Sequence, residues 1–337
     1  MRIDDDVVQG YGHACQCAKG SQAIVGNNCF AANGCACYRL AMIYQHPLAY
    51  LLGLEGVALL RTFAGDFDRE FGEARIAEIR RLLDSPGLSS GGVVADRVTT
   101  VDGYRVWSAT YDQPGNGIFA YEEPFVHEII DALAPGVALD AACGTGRHAE
   151  YLAVRGHQVI GVDSSPEMLT RARARVPTAD FRHGDLHHLP LPDNHVDVVV
   201  CALALTHLPT LTPAIAEFVR VLRPGGHLVI SDVHHVRVEL GSVPRARGPA
   251  GEPGLLPAYR HLASDYLSAA LPLGLQVRWC AEPLIPVGNE PALPGDVAAG
   301  PWDQWPWSLL NIVPAAASAA YAGTPATIIW HFQLADG

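Results

Sequence analysis

Residues Val137 to His148 read VALDAACGTGRH. The apolar run ending in Asp140 predicts a buried strand, and Cys143-Gly144-Thr145-Gly146 predicts a glycine turn that opens a helix. Glycine suits such a turn because a Cβ would hold a ligand off the backbone, while the helix start behind it offers unpaired N–H groups. A βα turn with no ligand has the same local signature, so the surrounding chain has to decide.

Downstream the pattern alternates. A helix runs on to Val154, and strands are expected at Gln158 to Asp163, Asp180 to His183, Val196 to Ala202 and His227 to Asp232. Helices are expected at Pro166 to Val176 and Pro213 to Leu222, and another, Pro124 to Leu133, precedes the first strand. Near-continuous Val and Ile strands between helices predict an α/β fold: a Rossmann-like, mostly parallel sheet with helices on both faces. Beyond it come a Gly/Pro-rich excursion over the site at Gly241 to Gly254, a helix at His261 to Leu271 and a strand at Leu275 to Cys280. A Pro-rich stretch to Trp307 and an antiparallel C-terminal strand at Ala326 to Leu334 complete the reading.

Upstream, residues 1 to 41 stand apart, holding Cys15, Cys17, Cys29, Cys35 and Cys37, five of the eight cysteines. Their spacing matches no common zinc pattern; zinc held with His13, disulfide pairing and a poorly ordered extension all remain open, and no metal is assigned. Pro47 starts a Leu-rich helix, and Phe67 to Leu83 carries apolar residues at helical spacing, so residues 42 to 120 predict a helical cap and linker. Pro86 to Gly92 reads as linker, and Gly103 to Gly117 as a loop with aromatics, including Trp107 and Tyr111. Residues 121 to 337 form the main domain.

Of the 337 residues 49% are hydrophobic and only 17% charged, a globular balance. The net charge of −12 opposes a phosphate backbone and an anionic bilayer, so neither nucleic acid nor membrane is an expected partner. The apolar runs Val198 to Leu205 and Pro47 to Leu60 are short or carry Glu55, and the acidic start Met-Arg-Ile-Asp-Asp-Asp lacks the pattern of a signal peptide. A cytoplasmic location is expected.

The turn also satisfies the dinucleotide pattern, as Gly144-Thr145-Gly146-Arg147-His148-Ala149, with Asp163 placed to grip a ribose. Charge separates the ligands. Asp140, four residues before Gly144, would oppose a pyrophosphate and favour an ammonium, which S-adenosyl-L-methionine carries.

Here the chain resembles the class I S-adenosylmethionine-dependent methyltransferases, in particular the small-molecule branch that includes ubiquinone and menaquinone biosynthesis methyltransferases. The resemblance covers residues 105 to 235 through four ordered motifs. These are LDAACGTG from Leu139, VIGVDSSPEML from Val159, GDL from Gly184 with Leu189-Pro190 and VDVV from Val196, and VLRPGGHL from Val221. Ala142 stands where the family places its first glycine. The resemblance implies that Asp140 supports the methionine ammonium, that Gly144 and Gly146 lie against the cofactor, and that Asp163 accepts from the ribose hydroxyls. It further implies Asp185 for the adenine amine, Met168 and Leu186 on the adenine ring, the Ala202 carbonyl for the ammonium, and Tyr111 near the methionine end.

The expected activity is methyl transfer to an O, N or C atom of a small-molecule acceptor. A protein base is needed only where the acceptor must lose a proton, and His207, His234 and His235, each just past a strand end, are the candidates. The alternatives are an NAD(P)-dependent oxidoreductase and a non-catalytic S-adenosylmethionine-binding protein.

Overall fold

A computed structural model describes residues 43–89, 91–113, 117–248, 250–286 and 297–336; the cysteines of the first 41 residues lie outside these. Among the described residues eleven strands form two sheets. The smaller has four: β1 (Ile43–Gln45), β2 (Val93–Arg97), β8 (Arg245–Arg247) and β9 (Pro253–Leu255), in the order β1-β2-β9-β8. The larger takes β3 (Val137–Ala141), β4 (Gln158–Asp163), β5 (Asp180–His183), β6 (Val196–Ala202), β7 (Leu222–Val233), β10 (Leu275–Ala281) and β11 (Thr327–Leu334). Its order is β10-β11-β7-β6-β3-β4-β5.

The pairs β3–β4, β3–β6, β4–β5 and β6–β7 are parallel, whereas β11 runs antiparallel to both β7 and β10. The fold class expected from the alternation is what forms, and for the expected reason: Leu139, Ile160, Val162, Val199, Leu228 and Ile230 are buried in a sheet covered on both faces. On one face the helices Thr212–Val221 and Ala263–Ala270 bring in Phe218 and Tyr266. On the other, Glu123–Asp131, Arg147–Val154 and Pro166–Arg175 bring in Val126, Leu152 and Leu169. The chain leaves β3 toward β4 on one side and returns to β6 on the other, so the carboxyl ends of β3 and β6 flank a crevice where open α/β sheets take their ligands.

Three local expectations are corrected. Arg223-Pro224-Gly225-Gly226, ahead of the strand expected from His227, already belongs to β7, with Leu222 paired to Val196 and Gly225 at φ +76°. Thr100–Trp107, which overlaps the start of the loop expected from Gly103, is a helix: Thr99 caps it by accepting from the Asp102 N–H, and Gly103 lets it close on Leu256, which a Cβ would strike at 2.5 Å. The Gly/Pro-rich excursion carries β8 and the first residues of β9, whose partner β2 lies far upstream.

The helix Pro47–Ala64 is long and apolar enough, by length and composition, to cross a membrane. In the fold its Leu51, Leu54 and Ala58 are buried against Trp302, Trp305, Leu309 and Ala316, and its buried Glu55 pairs with Arg75 at 3.1 Å.

Asp232, near the end of β7, is fully buried. It accepts from the Val233 N–H and, at 3.0 Å, from the Tyr266 hydroxyl, and burial pushes its carboxyl up to about 7. A carboxyl titrating higher in the folded than in the unfolded chain holds more protons when folded. Its contribution is therefore complete below about 3.8 and lost as pH rises through about 7. Melting temperature should fall from pH 5 to pH 8, and Asp232→Asn should make that fall shallower; identical slopes would contradict the assignment.

Candidate functional site

At the end of β3 the chain turns sharply. Ala142 adopts φ +58°, Gly144 +53° and Gly146 +82°. At Gly144 a Cβ would meet nothing within 4 Å, so the turn presents bare backbone to open space. Gly146 differs: a Cβ there would sit 3.2 Å from Ala172, so its smallness serves the close packing of helices. It does not line the cleft, contrary to the expectation that it would lie against a cofactor.

Ala142 takes a left-handed conformation that costs an L-residue about 1–2 kcal/mol, and it lines the cleft. Ala142→Gly should therefore raise stability by about 0.5–1 kcal/mol, the relieved strain less the added chain entropy of glycine. Urea unfolding would show it, and a loss of stability would refute it.

Asp163 ends β4 and fastens the turn. One carboxylate oxygen accepts from the Gly144 N–H and the other from the Ser165 N–H, both at 2.8 Å. Burial pushes its carboxyl above the ordinary range, while these N–H groups pull it back. Each oxygen retains a lone pair for a ligand hydroxyl.

Around this turn lies a narrow cavity lined by Tyr104, Tyr111, Gly144, Asp163, Met168, Asp185, Leu186, Ala202 and His207. The structure thus gathers most of the predicted cofactor positions at one place. Asp185 is exposed, and one of its oxygens accepts from the His187 N–H and faces the His187 ring. Among the described residues no Lys or Arg lines this cavity.

Asp140 departs from expectation. Its carboxylate points at the helix behind the turn, accepting from the Ala149 N–H at 2.8 Å, and it does not line the cavity. Burial pushes it up to about 6. The physical cause is alternation along β3: the acid faces the helix start, where unpaired N–H groups attract it. Beside it Glu122, fully buried, accepts from Ser231 at 2.8 Å and pairs with Arg147 and His148. Burial alone would raise its carboxyl, but His148, Arg147 and the Ser231 hydroxyl hold it at about 2.

Tyr111 reaches the cavity because the residue after it is latched. Asp112 accepts from the Thr145 hydroxyl at 2.8 Å and from Arg175 at 2.9 Å, and Arg175 also donates to Thr145. Sequence reasoning missed this latch, since Arg175 belongs to no motif.

The three histidines separate. His234 caps a short helix, its Nδ1 accepting from the Val236 N–H and its Nε2 3.4 Å from Glu282; it lines neither cavity, and nor does His235. Both are corrected as base candidates on position. His207 stands at the cleft. Its Nδ1 is 2.6 Å from the Pro257 carbonyl, to which it must donate, so Nε2 of the neutral ring accepts from the Tyr104 hydroxyl at 2.8 Å. Burial pushes the imidazole below its ordinary range and the Tyr104 phenol well above its own. Tyr104 itself carried no signal in the sequence.

A second, larger cavity of about 700 Å³ shares Tyr104, Tyr111, Leu203 and His207 as its wall with the first. Leu203 holds φ +55° there, a strained conformation for a branched residue at the junction of the two spaces.

Residues 139–230 match the family model described as a methyltransferase domain. That segment is similar to methyltransferase domains. Over 95 residues it is 41% identical to a malonyl-[acyl-carrier protein] O-methyltransferase of Yersinia pestis, covering 28% of this chain and 36% of that one. Over 147 residues it is 33% identical to a demethylmenaquinone methyltransferase of Paenarthrobacter aurescens, covering 43% of this chain and 51% of that one. The chain thus spans about half or less of these relatives' length. A solved methyltransferase in complex with the Haloferax volcanii Trm112 methyltransferase activator superposes with a TM-score of 0.52 at 20% identity, covering 70% of this chain and 97% of that one, which shows the shared fold. The matched segment runs from β3 into β7 and contains the turn, Asp163, Asp185 and His207.

Proposed function

We propose that this protein transfers a methyl group from S-adenosylmethionine to a small organic acceptor. The observation that carries this is the shared wall: the cavity around the glycine turn and the 700 Å³ cavity meet at Tyr104, Tyr111, Leu203 and His207, so two ligands would touch there.

The residues fit the cofactor. Asp163 supplies acceptors for ribose hydroxyls, Met168 and Leu186 supply apolar faces for a purine, and Asp185 accepts from an exocyclic amine. Acidic Asp163 and Asp185, with no Lys or Arg beside them among the described lining residues, suit a cationic ligand and offer nothing to a pyrophosphate. The Asp140 carboxylate takes no part, since it is engaged by the Ala149 N–H of the helix. The methionine ammonium would be left to backbone carbonyls near Ala202.

Bound S-adenosylmethionine supplies an electrophilic methyl on a sulfonium. The protein's part is to hold the acceptor in line with it, and to take a proton where the acceptor has one to lose. Neutral His207, with Tyr104 donating to it, is placed for that second task.

Incubating the full-length protein with methyl-labelled S-adenosylmethionine and an extract of small organic molecules, then finding the labelled product by mass spectrometry, tests the reading. Label transferred to a small molecule supports it; binding without transfer would favour a non-catalytic role.

A further inference from the structure

The larger cavity is lined by two arginines that have no ion-pair partner among the described residues. Arg237, in the short helix His235–Glu239, and Arg245, in β8, both line it. The Nε of each is buried without a hydrogen-bond partner. Neither guanidinium forms an ion pair within 4 Å among the described residues. Arg245 donates to the Val243 carbonyl at 3.0 Å and lies 5.9 Å from the Trp302 ring centre; Arg237 lies over Trp307 at 5.6 Å and Tyr321 at 5.3 Å.

Among the described residues near these arginines, Asp303, Tyr50 and Tyr321 are each engaged or neutral. Asp303, which also lines the cavity, is 2.7 Å from Arg247. The phenols of Tyr50 and Tyr321 bond to each other at 2.8 Å, and burial raises both above their ordinary range, so they stay protonated. Burial in turn lowers Arg237 and pushes Arg245 down to about 10, as expected of guanidinium groups removed from water with no carboxylate paired to them among the described residues. Retaining two such charges in a cavity walled by Trp107, Tyr121, Trp305 and Trp307 has a cost that a bound anion would offset.

We infer that the acceptor is an organic carboxylate with an apolar, ring-sized body, whose acid group is anchored by Arg237 and Arg245 while the body lies among the tryptophans. This rests on the proposed transfer reaction and specifies its substrate class. Both arginines line only the larger cavity, whereas Tyr104 and His207 line both, so the carboxylate is the anchor and the methylated atom lies nearer His207. Guanidinium forks match a carboxylate bidentately, and the indole and phenol rings suit a flat body.

The test uses full-length protein, saturated with S-adenosylhomocysteine, and three matched pairs of probes: benzoate and benzamide, 2-naphthoate and 2-naphthamide, indole-3-acetate and its amide. Calorimetry should show at least one acid binding about tenfold or more tightly than its amide. Arg245→Met and Arg237→Met should each cut that preference, and Arg245→Lys should retain part of it. Cofactor-product affinity, measured in each variant, confirms that the fold is intact. No preference for any acid, or a preference that survives both methionine variants, would overturn the inference. Failure of wild type to bind S-adenosylhomocysteine would instead refute the reaction itself, while the acid and amide comparison still stands on its own.

Discussion

His207→Ala is expected to lower turnover by about 10² to 10⁴ while leaving S-adenosylmethionine affinity little changed. The imidazole accepts from Tyr104 and is oriented by the Pro257 carbonyl, so its removal leaves the Tyr104 hydroxyl without the group that draws its proton away. Tyr104→Phe should share much of the loss, because its hydroxyl is bonded to the ring and its side chain lines both cavities. Burial lowers the imidazole pKa, so the base stays neutral to more acid pH, and the acid limb of kcat/KM should fall below the ordinary histidine value of about 6.5. Wild-type turnover in His207→Ala would mean that positioning alone drives the transfer. A loss confined to KM for the acceptor would mean that His207 only shapes the pocket.

The second large effect is on the cofactor. Asp163→Ala should weaken S-adenosylmethionine binding by about a hundredfold or more, since each charge-assisted bond to a ribose hydroxyl is worth about 1.5–3 kcal/mol. It also strips the acceptors from the Gly144 and Ser165 N–H groups that hold the turn. Asp163→Asn keeps the shape and one oxygen and should lose less. Calorimetry on both variants decides, and unchanged affinity in the alanine variant would show that Asp163 faces no ligand.

The central sheet was legible in the sequence because its strands are buried on both faces and read as unbroken runs of Val, Ile and Leu. Even their ends could be placed, as at Gln158–Asp163 and Val196–Ala202, where an acid or a turn follows at once. The small sheet was not legible. Its strands are three to five residues long, and β2 pairs with a segment beyond all five parallel strands of the central sheet, so no local periodicity announces them.

The site divides in the same way. Asp163, Asp185, Met168 and Leu186 lie at strand ends and on the helix start that follows, where spacing fixes them. Asp140 has the right spacing but the wrong face, which only the register of β3 against its helix reveals. Tyr104, Arg237 and Arg245 sit on elements without a motif, and only the folded chain brings them to one cavity.

The most direct test of a methyltransferase cleft is calorimetry of the purified full-length protein against S-adenosylmethionine, S-adenosylhomocysteine, NAD and NADP. Saturable one-to-one binding of the first two, lost in Asp163→Ala, with no heat from either dinucleotide, is the predicted result. Binding of NAD or NADP with no response to S-adenosylmethionine would contradict the account.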